Sequence, residues 1–291
     1  MRHQTLASLA LAVGLGAAGG GCAAADPEPA TIRTVSVAEL AGSLDTPEVV
    51  VLDVRTHEDF EAGHIAGATW LDPDGLRATI EGVDGQVVPR ATALDLLGQA
   101  GIAADDPLVI AGADNGTEPA RVAWTAMLYG HEGPVALLDG GMAAWVDAGR
   151  AVTTDALPRG TVGYLGAPTR EELRVDQAWM LAHLDDPAVA IFDVRTAEEY
   201  AEGHVPGAIS VNWTHNLTRD GAFRPADEVR ALHEDPAQDT LVVYCRTGSR
   251  AAVSWVLLRA AGYDDVRLYD GSWTEWGADP DTPKVTGPTR R

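Results

Sequence analysis

Short apolar runs recur along the chain, each followed by a polar turn. Val49–Leu52, Leu108–Ile110 and Ala136–Leu138 fall in the first half, and Val189–Phe192, Leu241–Tyr244 and Val266–Tyr269 in the second. Runs of this length, rich in Val, Ile and Leu and apolar on both faces, predict buried strands of parallel sheets. Longer stretches with helical periodicity lie between and after them: Ala91–Ala100, Ala120–Tyr129 and Ala251–Ala261. Gly130 and Gly262 follow the last two, at the position where helices stop. Strands separated by helices predict an α/β fold of mostly parallel sheets flanked by helices.

The pattern occurs twice. Asp53–Ala68 matches Asp193–Ala208 at an offset of 140, with nine of sixteen positions identical. Asp139, Gly140 and Trp145 match Asp270, Gly271 and Trp276 at an offset of 131, so the second copy is nine residues shorter between these landmarks. The repeat predicts two tandem domains, over residues 31–152 and 173–284. Residues 153–172 lack apolar periodicity, hold Pro158, Gly160, Gly163, Gly166 and Pro168, and are read as a linker.

The start of the chain has a different character. Arg2 and His3 precede an apolar run from Leu6 to Ala18, then Gly19–Gly21, Cys22 and three alanines. This predicts an export signal over residues 1–25, with Cys22 as the lipidation site of a periplasmic or cell-envelope lipoprotein. Cleavage after Ala25, giving a soluble secreted protein, is the alternative. The run is short of the roughly 20 apolar residues of a membrane span, so membrane attachment is expected only through the N-terminal lipid. With Cys22 spent on export, Cys245 is the one thiol left in the folded body. The formal net charge is −22, which repels phosphate backbones and excludes nucleic acid as an expected partner. The acidity also means that an anionic substrate needs a locally positive site.

Cys245 has that setting. The strand Leu241–Tyr244 runs into Cys245-Arg246-Thr247-Gly248-Ser249-Arg250, and a helix begins near Ala251. The cysteine therefore stands at the C-terminal end of a strand, where open α/β sheets bind ligands. A nest of backbone N–H groups, the helix N-terminus and the charges of Arg246 and Arg250 all favour thiolate over thiol there. Gly248 permits the positive φ that a closed loop requires. Such a thiolate can attack the outer sulfur of a donor, hold it as a persulfide and release it to an acceptor, by ping-pong kinetics. An inert buried cysteine is the bland alternative, but it needs no cationic loop.

These segments resemble the tandem-domain rhodaneses, the thiosulfate and 3-mercaptopyruvate sulfurtransferases. The resemblance runs over about residues 32–280 and rests on the Asp-Val-Arg turns at 53–55 and 193–195, the Gly-His turns starting at Gly63 and Gly203, the Cys245–Arg250 loop, and Asp270–Trp276. It implies a catalytic C-terminal domain and a noncatalytic N-terminal copy. The chain itself points the same way: the first copy has no cysteine after Leu108–Ile110, and carries Asp114 and Glu118 where the second has cations. The first domain is thus expected to act as a scaffold and a wall of the cleft.

The expected donor is a small anion, thiosulfate first and 3-mercaptopyruvate second, and the acceptor cyanide or a thiol. Cys245 is the expected nucleophile. Arg246, Thr247, Gly248, Ser249 and Arg250 would hold the donor, and Arg195 would face it from the neighbouring strand end. His64 and His204 occur in both copies and are read as structural. No Cys, His, Asp or Glu cluster has metal-ligand spacing, and no cofactor is expected. Two rivals stay open: a persulfide carrier with little turnover, and a cysteine-based phosphatase. The phosphatase loop resembles Cys-x5-Arg, one residue longer than Cys245-x4-Arg250.

Overall fold

The computed structural model describes residues 31–44, 49–155, 159–233 and 238–288. Cys22 and the expected 1–25 leader lie outside the described residues.

The first lobe holds strands β1 (Ile32–Val35), β2 (Val50–Asp53), β3 (Thr69–Trp70), β4 (Arg77–Ile80), β5 (Val83–Val87), β6 (Leu108–Ala111) and β7 (Val135–Leu138). The second holds β8 (Arg174–Val175), β9 (Val189–Asp193), β10 (Ile209–Ser210), β11 (Thr240–Tyr244) and β12 (Val266–Tyr269). One sheet has the order β1-β7-β6-β2-β3 and the other β8-β12-β11-β9-β10, and every pairing in both is parallel. The two orders are the same, strand for strand.

The shortening of the second copy is localised by register. Val50 pairs with Leu108 and Ala190 with Leu241, so the offset has fallen from 140 to 133 by the central strand. The first lobe carries the antiparallel β4–β5 hairpin in that interval. Where the second lobe has its counterpart, the ladder shrinks to a single bridge between Leu217 and Phe223.

Strand alternation decides which way each side chain faces. On β2, Val50 and Leu52 join the core shared by both lobes, while Val51 joins an outer cluster with Phe60 and Trp145. On β11, Leu241 and Val243 face the shared core, and Val242 and Tyr244 face outward toward Trp276. Helices Thr117–Leu128 and Ser249–Ala260, one from each lobe, pack on each other in the middle. Both are buried almost all round, including Trp124 and Trp255, which fits helices enclosed between two sheets. Truncating either tryptophan to alanine would cost about 3–5 kcal/mol.

The connection between lobes is tied down. Thr153 pairs with His64, Val162 N–H donates to the Gly98 carbonyl, and Ala167 N–H to the Gly130 carbonyl. Tyr164 is buried against His131. The chain also pairs beyond residue 284, through Val285 and His204.

Candidate active site

Cys245 continues the parity of β11. It shares the inward face with Leu241 and Val243, so its side chain points toward the other lobe. β11 lies at the centre of its sheet, and Cys245 follows directly at its C-terminal end. The residue is 1% exposed, so its thiol sits inside the loop rather than on the protein surface.

The backbone of the loop is fastened from β12's far end. Cys245 N–H donates to Ser272 Oγ at 3.2 Å, and the Cys245 carbonyl accepts Trp273 N–H at 3.0 Å. The Arg246 carbonyl accepts both the N–H and the hydroxyl of Thr274. These bonds leave the N–H groups of Arg246, Thr247 and Gly248 without an acceptor among the described residues. Gly248 has φ +83° and caps the helix Ser249–Ala260. Three successive unpaired donors thus precede a helix N-terminus, the makings of an anion cradle.

The charges divide unequally. Arg250 is not free: its guanidinium grips Glu199 at 2.7 and 2.9 Å. The Arg250 hydrogen bonds hold the Glu199 carboxyl down at about 2. Glu199 in turn holds Arg250 charged, and the Cys245 side chain, hydrogen-bonded to Arg250, acts in the same direction. Arg246 is exposed and pairs with no carboxylate among the described residues. It borders a cavity of 470 Å³ together with Arg195, Glu199, Trp273 and Thr274. Arg195 is committed to Asp193 and to the Gly203 carbonyl at 2.6 Å each, with its face 4.4 Å from the Trp273 ring centre. Arg55, Asp53 and Gly63 repeat the arrangement in the first lobe, so the Asp-Val-Arg turn is a structural knot in both copies. His64 and His204 are also matched: each Nδ1 meets the carbonyl four residues earlier at 2.8 Å, and each ring stacks on an aromatic.

Several participants escaped the sequence reading. Glu199 is 51 positions from Arg250, and nothing local signals the pair. The N-terminal domain does more than form a wall. Gly85, within β5, lies so close to Thr247 that an added Cβ would sit 2.7 Å from the Thr247 Cβ. Arg77 reaches Ser249 Oγ at 3.3 Å and pairs with Glu118. Arg121 is 1% exposed and pairs with Asp270 at 2.6 Å, while Asp270 also accepts Val87 N–H. Asp139 accepts Phe223 N–H in the mirrored contact. The repeated Asp-Gly pair therefore clasps each lobe to the other's hairpin region, and its recurrence was the signal for this.

The first lobe keeps a cavity of 570 Å³ bordered by its own turn Val54–Thr56 and loop Gly112–Gly116. Gly112 stands where register puts Cys245, so no thiol is present, and Asp59, Asp114 and Glu118 make the lining acidic. Among the described residues no group of His, Cys, Asp or Glu is placed to hold a metal.

A profile of the rhodanese-like domain matches residues 36–148 and 176–279. A Pseudomonas aeruginosa protein named as a probable 3-mercaptopyruvate sulfurtransferase is 34% identical, over 88% of this chain and 98% of its own. A sulfur carrier protein of Thermus thermophilus is 33% identical over 80% of this chain and 90% of its own. The thiosulfate sulfurtransferase of Azotobacter vinelandii is 27% identical over 86% and 95%. Among solved structures, EanB in complex with ergothioneine covalently linked to a persulfide cysteine superposes with a TM-score of 0.77, at 26% identity, covering 89% of this chain and 71% of that one. With both domain matches and a shared two-lobed architecture, the chain belongs to the rhodanese family.

Proposed function

We propose that the protein is a sulfurtransferase that carries a sulfane sulfur as a persulfide on Cys245, with thiosulfate as donor. The observation that carries this reading is the anion cradle: the one thiol among the described residues, at a strand–helix junction, beside three free N–H groups and Arg246. In the first step the Cys245 thiolate attacks the outer sulfur of thiosulfate. The sulfur–sulfur bond of the donor breaks, sulfite leaves with the electron pair, and a persulfide remains on Cys245. In the second step an acceptor nucleophile, cyanide or a thiolate, attacks the outer sulfur and the Cys245 thiolate is the leaving group. The cradle balances the negative charge that the sulfur carries in each state. With 3-mercaptopyruvate as donor the same first step leaves pyruvate as its enolate; the 34% identical relative supports that alternative.

The loop geometry argues against phosphoryl chemistry. Cys245 and Arg250 enclose four residues, one fewer than the Cys-x5-Arg loop, and Arg250 is already bound to Glu199 through both ends of its guanidinium. The persulfide-carrier reading has a specific support: the thiol is 1% exposed, and a sulfur carrier is among the relatives. Turnover decides between them. A donor panel against cyanide should give many product molecules per site for an enzyme, and a single stoichiometric burst for a carrier. Cys245→Ser should abolish both. Export by the leader, with Cys22 as lipidation site, completes the proposal; mass analysis of the mature N-terminus tests it.

A further inference from the structure

Arg121 is a charge that the transfer steps leave unused, yet it lies under the catalytic loop. It comes from the noncatalytic lobe, in a helix whose neighbours Ala120, Val122, Ala123 and Trp124 are all buried and apolar. One guanidinium nitrogen, Nη2, is fully engaged, donating to Asp270 Oδ1 at 2.6 Å and to the Gly85 carbonyl at 3.1 Å. Nε and Nη1 are buried and find no hydrogen-bond partner among the described residues, while the guanidinium lies over the Trp124 ring, 4.5 Å from its centre. Nη1 faces the loop: a Cβ added to Gly248 would lie 2.7 Å from it and 3.2 Å from Asp270 Oδ1. From the other side Gly85, at φ +82°, rests on Thr247. The loop segment Thr247–Gly248 is thus held between strand β5 of the hairpin and the Arg121–Asp270 pair.

A buried ion pair costs desolvation, and half-satisfied guanidinium nitrogens add to that cost. The mirrored contact shows that such a clasp does not require an ion pair: there Asp139 accepts from the Asn115 amide at 2.6 Å and Asn115 donates to the Gly221 carbonyl. We propose that Arg121 is a positioning residue of the sulfur-transfer site, which sets the closed shape of the Cys245–Gly248 loop from the N-terminal lobe. This rests on the sulfurtransferase reading for its kinetic part only. Without Arg121, Asp270 becomes an uncompensated buried carboxylate below the loop, and negative charge on Cys245 is opposed. Of the other charges around the loop, Arg250 interacts with the Cys245 side chain and is backed by Glu199, Arg246 lies on the exposed side, and Arg77 of the first lobe, paired with Glu118, reaches Ser249.

The test uses the full mature chain with Arg121→Met, Arg121→Lys and Asp270→Asn. The rate of Cys245 alkylation is followed against pH, and kcat and KM for thiosulfate are measured beside it. Arg121→Met should move the alkylation profile up by about one pH unit, a tenfold loss at fixed pH. It should lower kcat more than it raises KM, and Arg121→Lys should recover part of both. Should Arg121→Met fail to fold, Arg121→Lys and Asp270→Asn, which keep the volume of the site, carry the same readouts. Wild-type alkylation profiles and kcat in folded variants would overturn the inference. Alkylation needs no sulfur donor, so a wild type that alkylates but never gains sulfur would overturn the functional reading and not this one.

Discussion

Arg250 gives both of its guanidinium ends to Glu199, which changes what it can do for an anionic donor. Held by Glu199 and within hydrogen-bond reach of the Cys245 side chain, it is a fixed positive charge, and in the proposed reaction Arg246 is the charge free to follow the donor. Arg250→Ala should therefore raise KM for thiosulfate, with kcat less affected, in steady-state kinetics. Glu199→Gln should move the same constant in the same direction through loss of that orientation. The double variant should cost about what Arg250→Ala costs alone, because the two residues act as a unit. The pair also has a pH signature. Glu199 is ionised in the fold down to about 2, against an ordinary 4.5, so its contribution to stability is complete above 4.5 and lost as pH falls toward 2. At this scale Cys245 was legible because the whole motif is contiguous: strand, thiol, arginines, glycine, helix. Glu199 and Arg121 were not, since their meaning comes from a helix start and a second domain that only folding brings to the loop.

The hairpins are the elements that join the lobes. Asp139 Oδ1 accepts both Asn115 Nδ2 and Phe223 N–H, so Asp139→Ala leaves a buried amide without a partner. It should destabilise the protein by about 1–3 kcal/mol, read from the denaturant midpoint. Its loop is the thiol-free one, so alkylation of Cys245 should keep its wild-type pH profile. Gly85→Ala is the contrasting case. Its backbone is left-handed and the new methyl meets Thr247, so strain of about 1–3 kcal/mol should appear together with slower sulfur transfer. The central strands were readable as apolar runs bounded by turns. The hairpin was not: β4 and β5 are largely half-exposed, and β5 holds Gly85, so the periodicity that marks a strand is weak there.

The two lobes share one core, and the connection between them is part of it. His131 bridges the Tyr164 hydroxyl at 2.8 Å and the Asp106 carbonyl at 2.9 Å. Burial pushes its imidazole down to about 4 from 6.5, so it is neutral in the fold while the unfolded chain takes up a proton. Stability should therefore fall as pH drops from about 6.5 to about 4, and His131→Gln should flatten that part of the melting-temperature profile. The two-domain architecture was legible in the repeat, because identical turns at a fixed offset demand the same local fold twice. The repeat flagged the Asp-Gly motifs without naming their partners: Asp139 meets Asn115 of its own lobe and Phe223 of the other, and Asp270 meets Val87 and Arg121 of the other. That exchange between lobes puts a cation of the thiol-free lobe against Gly248, in the loop that follows Cys245. The most direct test of the account is the intact mass and peptide map of the mature protein after exposure to thiosulfate without acceptor. The account predicts one added sulfur atom, on the peptide holding Cys245, removed by cyanide. An unmodified Cys245 after exposure to both thiosulfate and 3-mercaptopyruvate would contradict it.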